Sequence, residues 1–516
     1  MKKSHLEIIL VTILYLAALY IWTLPMQTNN MPFGDVDSSS HFAIGDYMYR
    51  TNRAPVEVPF YIYNRYGTQN DFKQGALWYS PQFWTNTGIV QVVAGDRILP
   101  VFLWIAVMCT AVILTSYFFV RSLFGMLPAL SSSFLLIFST RDYMIYLWGQ
   151  WPQSISYAYV PLVLYCFYSY IQNKKSLYLY VMGVFLAIQF WFHAQGLIAS
   201  LMVLIIYSLI LSIKEKKIIF DFKHILIAIF IFIFVSYIFA PLNLPEFVLE
   251  MAGGSTGEGE KALGFSALFH WYPEASRAVG SLPDFYFHYN QAHGSVEGGL
   301  LSWWTLPFLF IGVFFLILKR DNKTLLFISW LVAFFILTHL SIFGLGARDI
   351  RMVALEAHLI YPTIAIGLIS VSSLFKVDLR NYVRYSLVVL FLIAVLAVNA
   401  PPVIKIMKEM QSSIGRITPV QYEASNWMLG NLPEDSRLVD YGTLGGAKVK
   451  WLNVLAAKQF ITDPDSKDVP THLMIDYSDL IAIRNQEGID QLQSLEQKFN
   501  ATPVYNKNNI RVYQIG

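Results

Sequence analysis

The chain has 516 residues, of which 55% are hydrophobic, 16% aromatic and 14% charged, and its mean hydropathy is +0.48. So apolar a composition at this length excludes a soluble globular protein and points to a chain that crosses the membrane many times. A net charge of only +3 gives no reason to expect a nucleic-acid partner, and both cysteines, Cys109 and Cys166, lie in apolar runs, which sets thiol and metal-cysteine chemistry aside.

Apolar runs fall near residues 6–24, 98–120, 126–139, 153–171, 178–192, 195–213, 225–243, 299–318, 324–340, 352–374 and 385–400, which predicts about eleven transmembrane helices. The run at 126–139 is short enough to be a re-entrant or tilted segment instead. The first run follows a charged start, but it reaches about 19 residues with no small-residue cleavage site behind it, so it reads as a retained span. Charge orients the set. With the N-terminus in the cytoplasm, the inner connections carry 15 Lys and Arg against 4 acids, as short cytoplasmic loops require. The stretches 25–97 and 244–298, the turns near 140–152 and 341–351, and everything beyond 400 then face outside. We therefore expect an integral protein of the plasma membrane with domains at 1–400 and 401–516, the second extracytoplasmic.

That tail changes character after Pro401-Pro402. "TPVQYEASNWMLGNLPEDS" predicts an amphipathic helix ending near Gly430-Asn431. "SRLVDYG", "THLMIDYS" and "NIRVYQI" predict strands, and "YNKNNIRVY" a closing hairpin, giving a small α/β domain.

Chemistry concentrates in the outer stretches. "MPFGDVDSSSHF" carries Asp35, Asp37 and His41. Carboxylates two apart on an irregular segment can converge on one hard cation or hold a proton near a substrate, and "DSSS" is equally good chemistry for a helix cap. "TRDYMIYLWGQWPQS" brings Arg141, Asp142, Trp148, Gln150 and Trp151, as an aromatic interfacial belt or as a binding surface. His193 in "FWFHAQG" is either a ligand or a hydrogen-bonded structural residue. Arg348 and Arg351 in "GLGARDIRMVALEAHLIYP" stand at an outer helix end against the charge rule. They could grip a phosphate or pair with Asp349 or Glu356. His288 and His293 lack helical metal spacing and read as loop.

In this order the features resemble the GT-C membrane glycosyltransferases, and above all the catalytic subunit of oligosaccharyltransferases. The carrying motifs are the Asp35/Asp37 loop after the first span, "GSVEGG" with Glu297, and "DIRMV" with Arg351. The second outer loop offers Asp142 where that family has a DxD pair, and "LVDYG" (Asp440, Tyr441, Gly442) stands where it has "WWDYG". The resemblance implies a membrane all-α fold, GT-C-like, with the outer α/β domain. It implies that Asp35 or Asp37 holds a divalent cation, Mg²⁺ or Mn²⁺, and helps activate the acceptor, with Asp142 as a further metal ligand. Glu297 would contact acceptor or metal, while Arg351, with Arg348, binds lipid phosphate, and His41, Trp148, Gln150 and His193 belong to the substrate surface. The partners it implies are a polyprenyl-phosphate-linked sugar donor and a protein, lipid or glycan acceptor. A catalytically silent scaffold of the same fold and a lipid-linked glycan transporter are the alternatives. A transporter would place its charges near the bilayer midplane, whereas these gather at one face.

Overall fold

Backbone amides in lipid have no water to bond, so apolar runs satisfy them internally as helices. The computed structural model describes residues 3–53, 61, 81–239, 302–339, 356–375, 377–409, 415–461, 468–498 and 501–515. In chain order its helices are α1 (Lys3–Trp22), α2 (Leu24–Thr28), α3 (Val36–Thr51), α4 (Gln82–Ala94), α5 (Leu99–Phe124), α6 (Met126–Ile137), α7 (Thr140–Leu147), α8 (Trp151–Ala158), α9 (Val160–Asn173), α10 (Leu177–Phe192), α11 (Ala194–Glu215), α12 (Phe222–Phe239), α13 (Leu306–Lys319), α14 (Asn322–Leu337), α15 (Glu356–Val371), α16 (Val377–Val398), α17 (Ala400–Glu409), α18 (Pro419–Asn431), α19 (Gly446–Ala456), α20 (Ser478–Ala482) and α21 (Gln486–Gln497). Among the described residues, five stretches are long and apolar enough to cross a membrane: His5–Trp22, Leu99–Phe124, Trp151–Asn173, Ala194–Glu215 and Leu379–Glu409. Six shorter apolar helices, Met126–Ile137 among them, fall on the other expected runs. The chain is an integral membrane protein of mostly helical architecture.

The chain divides into two compact units. The first comprises Met1–Leu24, Ala106–Ile145 and Trp151–Glu409. Its core is aromatic and aliphatic: Phe119 stacks on Phe327 with ring centroids 5.6 Å apart, and Trp330 meets Phe119 edge-on at 6.1 Å. Without a hydrophobic driving force between helices in lipid, close backbone approach and polar ties do the work. Gly312 on α13 and Gly367 on α15 let these two helices touch backbone to backbone. Arg121 Nε reaches Glu7 Oε1 at 2.5 Å, tying α5 to α1, and the Tyr207 hydroxyl on α11 donates to the Asn322 carbonyl at 2.9 Å.

The second unit comprises Pro25–Ile105, Tyr146–Gln150 and Met410–Gly516. It contains a five-stranded sheet of order β2-β1-β3-β5-β4, with β1 at Arg437–Tyr441, β2 at Gln459–Phe460, β3 at His472–Asp476, β4 at Tyr505–Lys507 and β5 at Ile510–Gln514. β1 runs parallel to β2 and β3, with Val439 opposite Leu473; β5 is antiparallel to β3, and β4 and β5 form the closing hairpin. α18 begins with a complete capping box, Thr418 with Gln421, and Pro419 at its first position, both strong start signals. Residues far apart in sequence are joined here by backbone bonds. Gly34 N–H donates to Gly415 O at 2.9 Å, and Ile417 N–H donates to Pro32 O at 3.2 Å, around a bridge between Phe33 and Arg416.

Candidate active site

The stretch Gly34 to His41 turns sharply into α3, and its glycine explains how. Gly34 has φ +120°, a conformation other residues rarely adopt, and a Cβ there would lie 2.0 Å from Ser38 Oγ. Asp35 N–H donates to Leu147 O at 3.1 Å, and Ser38 N–H donates to Asp35 O at 2.9 Å, closing the turn. Gly149, at φ +83°, presses on the same place, since a Cβ on it would come within 2.2 Å of Ser38 N. The backbone of the "LWGQ" segment, which carries Trp148 and Gln150, therefore lies directly against the "GDVDSSSH" turn, which carries Asp35 and Asp37. All four are half-buried.

Asp37 stands in the first turn of α3, where the positive end of the helix dipole favours a carboxylate. One turn on, His41 is buried, and its Nδ1 accepts from Trp84 Nε1–H at 3.2 Å while Phe83 packs edge-on at 5.5 Å. Trp451 on α19 donates from Nε1 to Gly34 O at 3.0 Å and packs on Phe42. The tail thus buttresses the turn from behind.

Farther along α3 lies an ion cluster that residue-by-residue reading did not single out. Asp46 is fully buried, and its two oxygens accept from Arg97 Nε at 2.6 Å, from an Arg97 terminal nitrogen at 2.7 Å and from Arg50 Nε at 2.9 Å. Arg50 also donates to the Tyr61 hydroxyl at 2.9 Å. The Asp46/Arg50 spacing of four was a readable signal; Arg97 was not.

At the carboxyl ends of β1 and β3, where parallel sheets place their ligands, sit Asp440, Asp476 and Asp479. Thr443 Oγ1 donates to Asp440 at 2.9 Å, Gln421 Nε2 to Asp476 at 2.7 Å, and Lys448 Nζ to Asp479 at 2.6 Å. Burial, together with the carboxylates of Asp476 and Asp479, pushes Asp440 up to about 7 against the hydrogen bond from Thr443.

Asp142 and His193 belong to the other unit. Asp142 is buried; its Oδ2 accepts from Ser139 Oγ at 2.5 Å, and its Oδ1 faces His358 Nε2 at 2.9 Å. His358 Nδ1 is buried without a hydrogen-bond partner among the described residues. His193 is the N-cap of α11, its Nδ1 accepting from Gln195 N–H at 3.2 Å, while its carbonyl accepts from Ser156 Oγ at 2.8 Å. Among the described residues no three His, Cys, Asp or Glu side chains gather closely enough to hold a metal by themselves. Glu297, Arg348 and Arg351 lie outside the described residues.

Neither the family models nor the curated proteins match this sequence. Solved structures do. The apo oligosaccharyltransferase of Archaeoglobus fulgidus aligns at a TM-score of 0.54 and 13% identity over 90% of this chain and 65% of that one. The chain therefore spans just under two thirds of that protein's length. AglB from the same archaeon, in complex with an inhibitory peptide and a dolichol-phosphate, aligns at 0.52 and 12% over 92% and 70%. ArnT from Cupriavidus metallidurans bound to undecaprenyl phosphate aligns at 0.51 and 12% over 98% and 97%. The chain has a divergent GT-C-like fold. At such identities the likeness is one of fold, and the chemistry has to be argued from the residues.

Proposed function

We propose that this protein is a membrane glycosyltransferase that moves a sugar or oligosaccharide from a polyprenyl-phosphate carrier to an acceptor at the extracytoplasmic face. The observation that carries the reading is the built entrance to α3: two half-buried carboxylates on a glycine-shaped turn, held by the 146–150 segment and by the tail. Its support from outside is the fold shared with ArnT, whose structure holds undecaprenyl phosphate, and with AglB, whose structure holds dolichol-phosphate.

The reaction is direct displacement at the anomeric carbon, with inversion. Asp35 or Asp37 orients the attacking group and takes its proton, a task that needs a carboxylate within hydrogen-bond reach of the acceptor. Glu297 contacts the acceptor, while Arg351 and Arg348 bind the departing phosphate through paired guanidinium donors. Trp148, Gln150 and His41 shape the sugar side, and His193 serves the same substrate surface. A cation that coordinates through one or two carboxylates and completes its shell with water and phosphate suits the Asp35/Asp37 pair; when bound, Mg²⁺ or Mn²⁺ there would offset charge on the phosphate. The archaeal oligosaccharyltransferase is also known in complex with Zn and sulfate. Asp142 already has a partner on each oxygen, so as a third ligand it would have to exchange His358 or Ser139.

The test is to replace Asp35 and Asp37 separately with Asn and to measure transfer from a radiolabelled lipid-linked sugar in membranes. A fall of about 10²–10⁴-fold in at least one variant, at normal expression, is expected of a lost general base. Undiminished transfer in both variants overturns the assignment, and no transfer by the unaltered chain with any lipid-linked donor favours the silent scaffold.

A further inference from the structure

Within the first unit, α12 packs on α10, where Gly183 admits the backbone of Ala228, while α11 turns toward α14 through Tyr207 and Asn322. A cleft of about 580 Å³ is left between α11 and α12. It falls within the roughly 300–1,000 Å³ of ordinary ligand sites. Its walls are apolar: Leu201, Ile205 and Leu209 line one side at one-turn spacing, Phe222, Ile229 and Phe232 the other. Leu197 and Ser212 mark its reach along α11, about 22 Å at 1.5 Å per residue. That is shorter than the roughly 30 Å of a bilayer's hydrocarbon, and so suits one acyl chain rather than a polyprenyl tail.

The rim at the Ser212 end is cationic. Lys216 and Lys217 precede the lining residue Ile218 and Lys223 follows the lining residue Phe222, against Glu215 and Asp221, while Lys214 turns away to the Arg320 carbonyl and Asn322 Oδ1. Lys174 Nζ donates to Ile219 O at 2.8 Å, which fastens the turn after α9 to the loop between α11 and α12. The Tyr180 hydroxyl pairs with His224 Nδ1 at 2.8 Å and fixes the start of α12. The connection after α9 and the one after α11 therefore meet at one mouth, with Lys216 and Lys217 beside it.

We propose that this cleft binds a bilayer phospholipid of net negative charge, one acyl chain lying between α11 and α12 and the phosphate headgroup resting on the lysine rim. The apolar walls select a chain, and the surplus of lysines selects the headgroup. The proposal rests on the cleft and its lysines and does not depend on the transferase reading.

To test it, the full chain is reconstituted in nanodiscs of equimolar phosphatidylglycerol and phosphatidylcholine, and the phospholipid that stays bound on extraction is identified by native mass spectrometry. The unaltered protein should retain phosphatidylglycerol over phosphatidylcholine by about 30-fold, as expected from two juxtamembrane lysines. K216E/K217E should lose the preference while keeping a bound lipid. Ile205→Trp, a change at an exposed wall position, should lose both lipids with helical content unchanged. Equal retention of the two lipids by the unaltered chain, or retention unaffected by both variants, overturns the proposal. So does loss of the preference in excess inorganic phosphate, which would make the rim a plain phosphate site, or displacement of phosphatidylglycerol by polyprenyl phosphate, which would make the cleft the donor's.

Discussion

The entrance to α3 and the pocket around Asp142 both present aspartate, yet they use it in opposite ways. Asp142 is sealed in, with Ser139 on one oxygen and His358 on the other. Asp35 and Asp37 keep solvent access on a turn whose shape is set by backbone, by two glycines and by a tryptophan from the tail. Asp46, three helical turns beyond Asp35, is a third version, buried and grasped by two arginines. Buried carboxylates hold helices together, whereas a carboxylate that keeps solvent access at a helix start can meet a ligand.

That contrast can be broken most forcefully at Asp46. Asp46→Ala would leave the half-buried Arg50 and Arg97 without their counter-charge, at a cost of up to about 3 kcal/mol. Thermal unfolding in detergent should show the loss, together with poor accumulation in membranes. Gly149→Ala strikes the entrance itself. The forced φ and the approach to Ser38 should cost about 2 kcal/mol, and transfer should fall further than stability explains. Asp142→Asn should cost about 1.5 kcal/mol through its lost bonds and leave transfer per folded molecule nearly intact. A collapse of transfer in that variant, with the protein still folded, would instead bring Asp142 into the active site.

Much of the architecture was legible because the lipid environment makes hydropathy nearly decisive: every expected apolar run contains a helix, and "SRLVDYG", "THLMIDYS" and "NIRVYQI" hold β1, β3 and β5. The hairpin was readable for a related reason, since Asn508 and Asn509 both adopt positive φ, at 52° and 67°, as tight turns require. What stayed hidden depends on long-range closure. Nothing local announces that Arg97 will meet Asp46, that His358 will meet Asp142 across 216 residues, or that Gly34 will accept from Trp451. The two-residue β2 is too short to carry a period at all.

A pH-dependent effect sharpens the same contrast in the sheet. Asp440, raised to about 7, holds a proton in the folded chain that an unfolded carboxyl, near about 4, has released. Its contribution to stability is complete below about pH 4 and is lost as pH rises through about 7. Asp440→Asn should flatten that decline when unfolding is followed at about pH 5 and about pH 8, with Asp476, Asp479 and Lys448 left in place.

The central claim is that carboxylates from the entrance to α3 and guanidinium groups from the 341–351 stretch meet on one lipid-linked sugar. A structure with a non-reactive polyprenyl-phosphate sugar bound measures this directly. The account predicts the phosphate within about 3 Å of the Arg351 guanidinium and the anomeric carbon turned toward Asp35 and Asp37. A donor bound elsewhere, or these carboxylates standing beyond the reach of a sugar phosphate from Arg351, would contradict it.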